Sequence, residues 1–416
     1  MAIRGTISLP GDKSISHRAL LFAPFTLGKN VIQNISTGLD VESTRNCLLN
    51  CGIKSIKKNQ TVEIFGSKLT NPNYPLDCGN SGTTTRLIAG LLAGQQINAD
   101  LVGDESLSSR PMNRIIHPLE KMGAKLSSKN DKLPIQIEDS ILNGINYKIP
   151  IASAQIKSCL ILAGLGAKSP SNFEEITKTR NHTEIMLQNM GAEISVNENS
   201  IQVNPLKNTL KNYDITVPGD PSSAAFFIGA TLITPNSSLI IKNILLNPTR
   251  IGFINVLKKM NAQIHIIRQW EELGELVGDI QISYSQLNSI DLDSEDIPAM
   301  IDELPIFALV ASQADGITRV TGAEELRFKE SDRIKAICDN LSKIGVKVIE
   351  LKDGFVIEGS SFISGGEIKS FHDHRITMTF EIAQLLTNEK IQIDNTECIQ
   401  ISFPEFQQTL TKISQS

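Results

Sequence analysis

Basic, hydroxyl-bearing and glycine residues recur along this chain in short polar islands, nearly all followed by an apolar helical pattern. Lys13-Ser14-Ile15-Ser16-His17-Arg18 runs into Ala19-Leu20-Leu21-Phe22, and Gly79-Asn80-Ser81-Gly82-Thr83-Thr84-Thr85-Arg86 opens Leu87-Ile88-Ala89. Arg110-Pro111-Met112, Ser153-Ala154-Gln155, Thr179-Arg180-Asn181-His182-Thr183 and Gly219-Asp220-Pro221-Ser222-Ser223 repeat the composition. Asp302-Glu303-Leu304-Pro305, Lys329-Glu330-Ser331-Asp332-Arg333 and Asp373-His374-Arg375 add carboxylates to it. A helix N-terminus presents unpaired N–H groups and the positive end of the helix dipole, so it receives phosphate or carboxylate readily. Adjacent glycine lets an anion approach the backbone, hydroxyls add donors, and Lys and Arg add charge. A single island of this kind is ordinarily a helix cap. Their repetition points to one composite site for a small polyanion.

Other chemistries lack their spacing. Gly79–Thr83 is no P-loop, since GxxxxGK[ST] is missing. No GxGxxG follows a strand pattern, and His372 and His374 do not fall at HExxH spacing, so neither a nicotinamide nor a metal site is expected. His17, between Ser16 and Arg18, reads as a hydrogen-bonded neighbour of a site rather than a base. One tryptophan and four tyrosines offer no stacking platform for single-stranded nucleic acid.

The elements that must hold these islands repeat. A leucine, three residues, then a turn residue and an alternating apolar run recur with the turn at Gly52, Gly123, Gly191, Asn261 and Gly345. The period is roughly 70 residues, long enough for one supersecondary unit. A helix that ends in the left-handed conformation takes glycine there, or asparagine, which explains Asn261. Period-2 stretches follow, as in Ile194-Ser195-Val196 turning back through Asn197–Ser200 into Ile201-Gln202-Val203. Six such units of helices and strands, each closed by a hairpin, would fill the chain, the last running from Leu410 into the chain end.

Composition places these units in an ordinary globular protein. The 416 residues are 40% hydrophobic and 20% charged, and the length allows two or three domains. Forty basic against forty-five acidic residues leave a net charge of −5, which argues against a general binder of nucleic acid or anionic membrane. Six cysteines without a CxxC pair read as reduced thiols, so a cytoplasmic location is expected. The N-terminus lacks a signal-peptide pattern and no apolar run approaches the ~18–20 residues needed to span a bilayer.

In their order along the chain these islands closely resemble the 5-enolpyruvylshikimate-3-phosphate (EPSP) synthase family. Lys13-Ser14-x-x-His17-Arg18, Gly79-Asn80-Ser81-Gly82-Thr83, Arg110-Pro111-Met112, Gly219-Asp220 with Ser222-Ser223-Ala224, Lys329–Arg333, Asp373-His374-Arg375 and Phe403-Pro404 carry the likeness, which spans about residues 4–406. The resemblance implies an inside-out α/β barrel of two globular domains, each built of three βαβαββ units. It puts residues 12–219 in one domain and 1–11 with 220–416 in the other, with the active site in the cleft between them. The implied reaction transfers the enolpyruvyl group of phosphoenolpyruvate to the 5-hydroxyl of 3-phosphoshikimate, releasing phosphate through a tetrahedral intermediate. No metal or organic cofactor is implied, and the partners are these two small molecules, with neither nucleic acid nor membrane, on a monomer.

By the same resemblance, 3-phosphoshikimate meets Lys13, Ser14, Arg18, Ser153, Ala154, Gln155 and Thr179, with Asp302 and Lys329 reaching it from the other domain. Phosphoenolpyruvate meets Lys13, the Gly82 backbone, Arg110, Gln155, Arg333 and Arg375. Asp302 is the implied base on the hydroxyl, Glu330 exchanges a proton at the methylene carbon, and Lys13 assists. Family inhibition by glyphosate depends on space beside the Gly82 backbone, which implies a sensitive enzyme. Four positions depart from the family pattern: Ala154 and Thr179 replace serine, Ile401 stands where some members have lysine, and His182 stands where some have a substrate-stacking tyrosine.

Two other readings fit the same repeat. UDP-N-acetylglucosamine enolpyruvyl transferases carry a catalytic cysteine ahead of their Arg-Pro, but Glu105-Ser106-Leu107-Ser108-Ser109 precedes Arg110-Pro111 here. A non-catalytic phosphate-binding protein on this fold would have no need of both Asp302 and Glu330 beside its cations.

Overall fold

The computed structural model describes residues 2–414, with Ile401 described by its backbone alone. The chain divides into two compact bodies, one of residues 11–217 with 271–275, the other of residues 1–10, 218–270 and 276–416.

The repeat is present in both. In the first body, strand Leu76–Asp77, helix Gly82–Gly94, strand Ala99–Val102, helix Asn113–Lys121 and the hairpin Lys125–Lys129/Lys132–Glu138 make one unit. Its sheet has one parallel pair, Leu76–Asp77 on Ala99–Val102, followed by two antiparallel pairs. Asn146–Ile149 through Ser200–Val203 follows the same plan, and so does Asp291–Leu292 through Gly354–Glu358 in the second body. The turn residues behave as their types require. Gly52, Gly123, Gly191 and Gly345 have φ of 88°, 99°, 101° and 91°, and Asn261 joins them at 74°.

Two units are assembled from distant pieces of chain. Strand Asp214–Thr216 pairs in parallel with Gly28–Gln33, and strand Arg4–Ser8 pairs with Ser238–Leu245. Each supplies the first strand of a unit whose remaining elements lie some 180 to 230 residues away. The sixth unit departs from the expected plan. Gly366–Ile368 pairs only with Ile391–Ile393, and the chain then enters the helix Phe406–Ser414, so no closing hairpin is present among the described residues.

Helices form the cores. Pro221–Ile233 and Leu304–Ala311 in the second body are buried on almost every side, with His374–Ala383 close behind. Lys13–Leu21, Gly82–Gly94 and Ala154–Leu165 play that part in the first. A helix apolar all round belongs inside, whereas the hairpin strands alternate buried and exposed residues and face water on one side. Close helix packing is explicit at Gly90, where a Cβ would fall 2.1 Å from the carbonyl oxygen of Cys159. No larger residue fits there. No helix among the described residues is long and apolar enough to cross a membrane.

Candidate active site

Each polar island lies at or just ahead of a helix N-terminus, and most cap it. Asp12 accepts from Ile15 N, Ser81 from Thr84 N, Ser153 from Ile156 N, Asp332 from Lys335 N and Asp373 from Arg375 N. Capping stabilises each helix start by about 1 kcal/mol, and it leaves the neighbouring basic side chains at the positive end of a dipole.

In the first body three groups of predicted residues form. Gly82, Arg110 and Gln155 gather around a residue that the resemblance did not assign, Arg86. Its Nη1 donates to Gln155 Oε1 at 2.5 Å, and Gln155 Nε2 donates to Thr83 Oγ1 at 2.9 Å, fixing the amide. A Cβ on Gly82 would lie 2.8 Å from Arg86 Nη1 and 3.7 Å from Arg110 Nη1, so two guanidinium groups border this glycine. Burial, then Arg110 and Arg114, lowers the Arg86 pKa to about 10. Arg110 donates to Asn80 Oδ1 at 2.8 Å. The signal for Arg86 was its place one helical turn beyond Gly82, on the same face.

The second group surrounds Arg18, which is 3% exposed. Its Nε donates to Thr183 Oγ1 at 2.7 Å, Nη2 to Ser158 Oγ at 2.7 Å and Nη1 to the Ser14 carbonyl at 2.9 Å. Burial first, and Arg180 last, lower its pKa to about 10 against the opposing pull of Glu184 and Asp12. Lys13 Nζ lies 2.9 Å from Asp40 Oδ2 and is 27% exposed, the more accessible cation of the pair. His17 is buried beside them, 2.7 Å from Thr44 Oγ1, and burial holds its pKa down to about 3 despite Asp40. It is a neutral neighbour, in keeping with its reading from sequence.

Ser153 and Ala154 open the helix Ala154–Leu165, to which Thr179 is tied through a 3.4 Å bond from Lys157 to its carbonyl, and these make the third group. Ser153 caps its helix, and the Thr179 hydroxyl donates to Glu175 Oε1, so its proton is already engaged. His182 does not reproduce a stacking tyrosine. Its ring is 0% exposed and its Nδ1 lies 2.7 Å from Glu275 Oε1.

The second body carries the other predicted residues in one cluster. Asp302 has Arg333 Nη1 at 3.5 Å, Lys329 Nζ at 3.8 Å and Arg375 Nη2 at 3.8 Å. Arg375 Nη1 also donates to the Asp302 carbonyl at 3.1 Å. Glu330 Oε2 sits 2.6 Å from Arg333 Nη2. Arg333 itself is 1% exposed and is anchored from behind by fully buried Asp373, at 2.8 Å from Nε. Burial would raise the Glu330 carboxyl, but Arg333, His374 and Lys329 together hold it well below the usual carboxylate range. Asp373 is lowered likewise, with Arg333 outweighing burial. The side chain of Ile401 lies outside the described residues.

The fold gathers cations at helix starts, and in the second body Asp302 and Glu330 share one buried arginine, an arrangement suited to anionic substrates. The profile of the EPSP synthase (3-phosphoshikimate 1-carboxyvinyltransferase) family matches residues 1–410. A 3-phosphoshikimate 1-carboxyvinyltransferase of Thermodesulfovibrio yellowstonii is 45% identical over 97% of this chain and 96% of its own length. One of Oceanobacillus iheyensis is 43% identical over 99% and 97%. The solved EPSP synthase of Acinetobacter baumannii superposes with a TM-score of 0.91 at 38% identity, covering 99% of this chain and 96% of the other. The enolpyruvyl transferase NikO of Streptomyces tendae, at 14% identity and a TM-score of 0.80 over 99% and 95%, shares the fold. This chain belongs to the EPSP synthase family. It is a transferase of the shikimate pathway, moving the enolpyruvyl group of phosphoenolpyruvate to 3-phosphoshikimate in aromatic amino acid biosynthesis.

Proposed function

We propose that the two clusters divide the work of this reaction, with Asp302 and Glu330 as its proton-transfer groups. Lys13, Ser14, Arg18, Ser153, Ala154, Gln155 and Thr179 hold 3-phosphoshikimate, with Asp302 and Lys329. Lys13, Gly82, Arg110, Gln155, Arg333 and Arg375 hold phosphoenolpyruvate. Asp302 takes the proton of the 5-hydroxyl as its oxygen bonds to the central carbon of phosphoenolpyruvate. Glu330 delivers a proton to the methylene carbon, making a methyl group and a tetrahedral intermediate. The carbon–oxygen bond to phosphate then breaks, a methyl proton returns to Glu330, and the enol ether forms. Cations fixed beside the developing phosphate charge stabilise both steps.

The observation that carries this reading is the shared arginine. Glu330 and Asp302 both lie within 4 Å of Arg333, which keeps Glu330 ionised. A substrate anion competing for Arg333 draws that charge away, and the Glu330 carboxyl gains affinity for the proton it must donate. Thus substrate arrival itself arms the acid. The helix-cored bodies support the inside-out barrel description, and the protein acts as a cytoplasmic monomer. The test is phosphate release from phosphoenolpyruvate with 3-phosphoshikimate or UDP-N-acetylglucosamine as acceptor. Release is expected with the first alone; none with 3-phosphoshikimate would sink the reading.

A further inference from the structure

Three segments of the first body converge on Lys157, a side chain that neither the resemblance nor the motif spacing assigns to the site. Lys157 lies one turn into the helix Ala154–Leu165 and is 1% exposed. Its Nζ sits 2.9 Å from Glu175 Oε2 and 2.7 Å from Glu184 Oε1, and it donates to the Thr179 carbonyl at 3.4 Å. Glu175 ends the strand Ser171–Glu175, and its other oxygen accepts from the Thr179 backbone N at 3.2 Å and from the Thr179 hydroxyl. Glu184 stands in the first turn of the helix His182–Met190, next to Thr183, which accepts from Arg18.

The charges make this arrangement conditional on the ammonium. Two carboxylates, 7% and 3% exposed, face one buried cation. Glu184 Oε2 is buried with no hydrogen-bond partner among the described residues, so that carboxylate is balanced by its ion pair with Lys157 and, less directly, by Arg18. Isolated buried carboxylates are strongly disfavoured and draw in water or move toward it. The nearest route outward is the Glu175–Thr179 connection, which is already exposed at Ile176, Thr177 and Lys178. Opening it would carry Thr179 away from the helix that Ser153 caps and loosen the Thr183 partner of Arg18.

We propose that Lys157 is a positioning residue for the 3-phosphoshikimate half of the site, clamping the segments that bear Ser153, Thr179 and Thr183 into one surface. The inference rests on the assignment of Ser153, Thr179 and Arg18 to 3-phosphoshikimate. Gly82 and Arg110, assigned to phosphoenolpyruvate, sit with Arg86 and Asn80 instead, and Gln155 is fixed by Arg86 and Thr83, so loss of the clamp falls chiefly on 3-phosphoshikimate.

Steady-state kinetics of the full chain test this with Lys157→Met, Glu184→Gln and the double variant. Losing charge-assisted bonds of this strength corresponds to roughly tenfold or more in an equilibrium constant. Lys157→Met is therefore expected to raise KM for 3-phosphoshikimate at least about tenfold, with KM for phosphoenolpyruvate within about twofold of wild type. Adding Glu184→Gln restores the net charge of the cluster and recovers part of the loss. Should Lys157→Met fail to fold, Glu184→Gln alone, which keeps the ammonium, is expected to raise the same KM about threefold. Folded variants whose two KM values stay unchanged or rise in parallel overturn the inference. A wild-type enzyme inactive with 3-phosphoshikimate would instead overturn the functional reading beneath it.

Discussion

Asp373 is buried completely, yet it anchors the cation that Asp302 and Glu330 share. Replacing it by alanine removes three things at once. The first is the ion pair with Arg333, at 2.8 Å between partners 1% and 0% exposed. The second is the cap on the helix His374–Ala383, where Asp373 accepts from Arg375 N at 2.9 Å. The third is the 3.0 Å bond from Ser331 Oγ. Breaking a buried ion pair costs about 3–5 kcal/mol, and the lower end applies because Glu330 at 2.6 Å still neutralises Arg333. The lost cap adds about 1 kcal/mol. A total of about 4 kcal/mol, at roughly 2–4 °C per kcal/mol for a body of this size, lowers the melting temperature by about 8–16 °C.

Thermal unfolding followed by circular dichroism checks this, with Asp373→Asn beside it. The amide retains an acceptor for the cap and for Arg333 but not the charge, so about half the loss is expected. The sign with pH follows from the lowered carboxyl. Its contribution is present above the unfolded value, about 3.9, and is lost as pH falls through the lower folded value. Asp373→Asn therefore flattens the acid limb below about pH 4. An Asp373→Ala protein that melts within about 2 °C of wild type at neutral pH would refute the reasoning.

Gly82→Ala brings a Cβ to 2.8 Å from Arg86 Nη1, displacing the guanidinium from Gln155; at about 1.5–3 kcal/mol for a charged hydrogen bond, KM for phosphoenolpyruvate is expected to rise about tenfold. Glyphosate inhibition of the same variant should weaken more than that, which dose–response curves at fixed phosphoenolpyruvate will show. Asp302→Ala and Glu330→Ala are expected to lose about a hundredfold or more in kcat, with circular dichroism unchanged, as measured by phosphate release. His17 is neutral in the fold with its pKa near 3 and binds a proton more readily when unfolded, so stability falls as pH drops from about 6.5 toward 3; His17→Gln should reduce that slope in urea titrations at pH 7 and pH 5.

Much of this was legible from residue order. The left-handed turns at Gly52, Gly123, Gly191, Asn261 and Gly345 are local: a helix end needs a residue that tolerates positive φ, and the sequence shows which. Capping is local too, so Asp12, Ser81, Ser153, Asp332 and Asp373 could be read as helix starts before any packing was known. That the sixth unit shows no closing hairpin among the described residues was less visible, because a period does not say whether each copy keeps every element. Asp373 was visible as a letter within an island and Lys157 two residues beyond one, but nothing in their spacing distinguishes a buried counter-charge from a solvated one.

What local rules decide here is therefore the repeat, its turns and the helix starts that gather basic and hydroxyl residues, since each depends on contacts within a few residues. Pairing across the chain is decided elsewhere. Asp214–Thr216 joins Gly28–Gln33 and Arg4–Ser8 joins Ser238–Leu245 because open strand edges there must be satisfied by backbone groups from far away. The electrostatic state of the site belongs to the same level. Glu330 is a strongly ionised carboxylate and His17 a neutral ring because of which charges and how much burial the fold sets around them. Residue types alone cannot convey that.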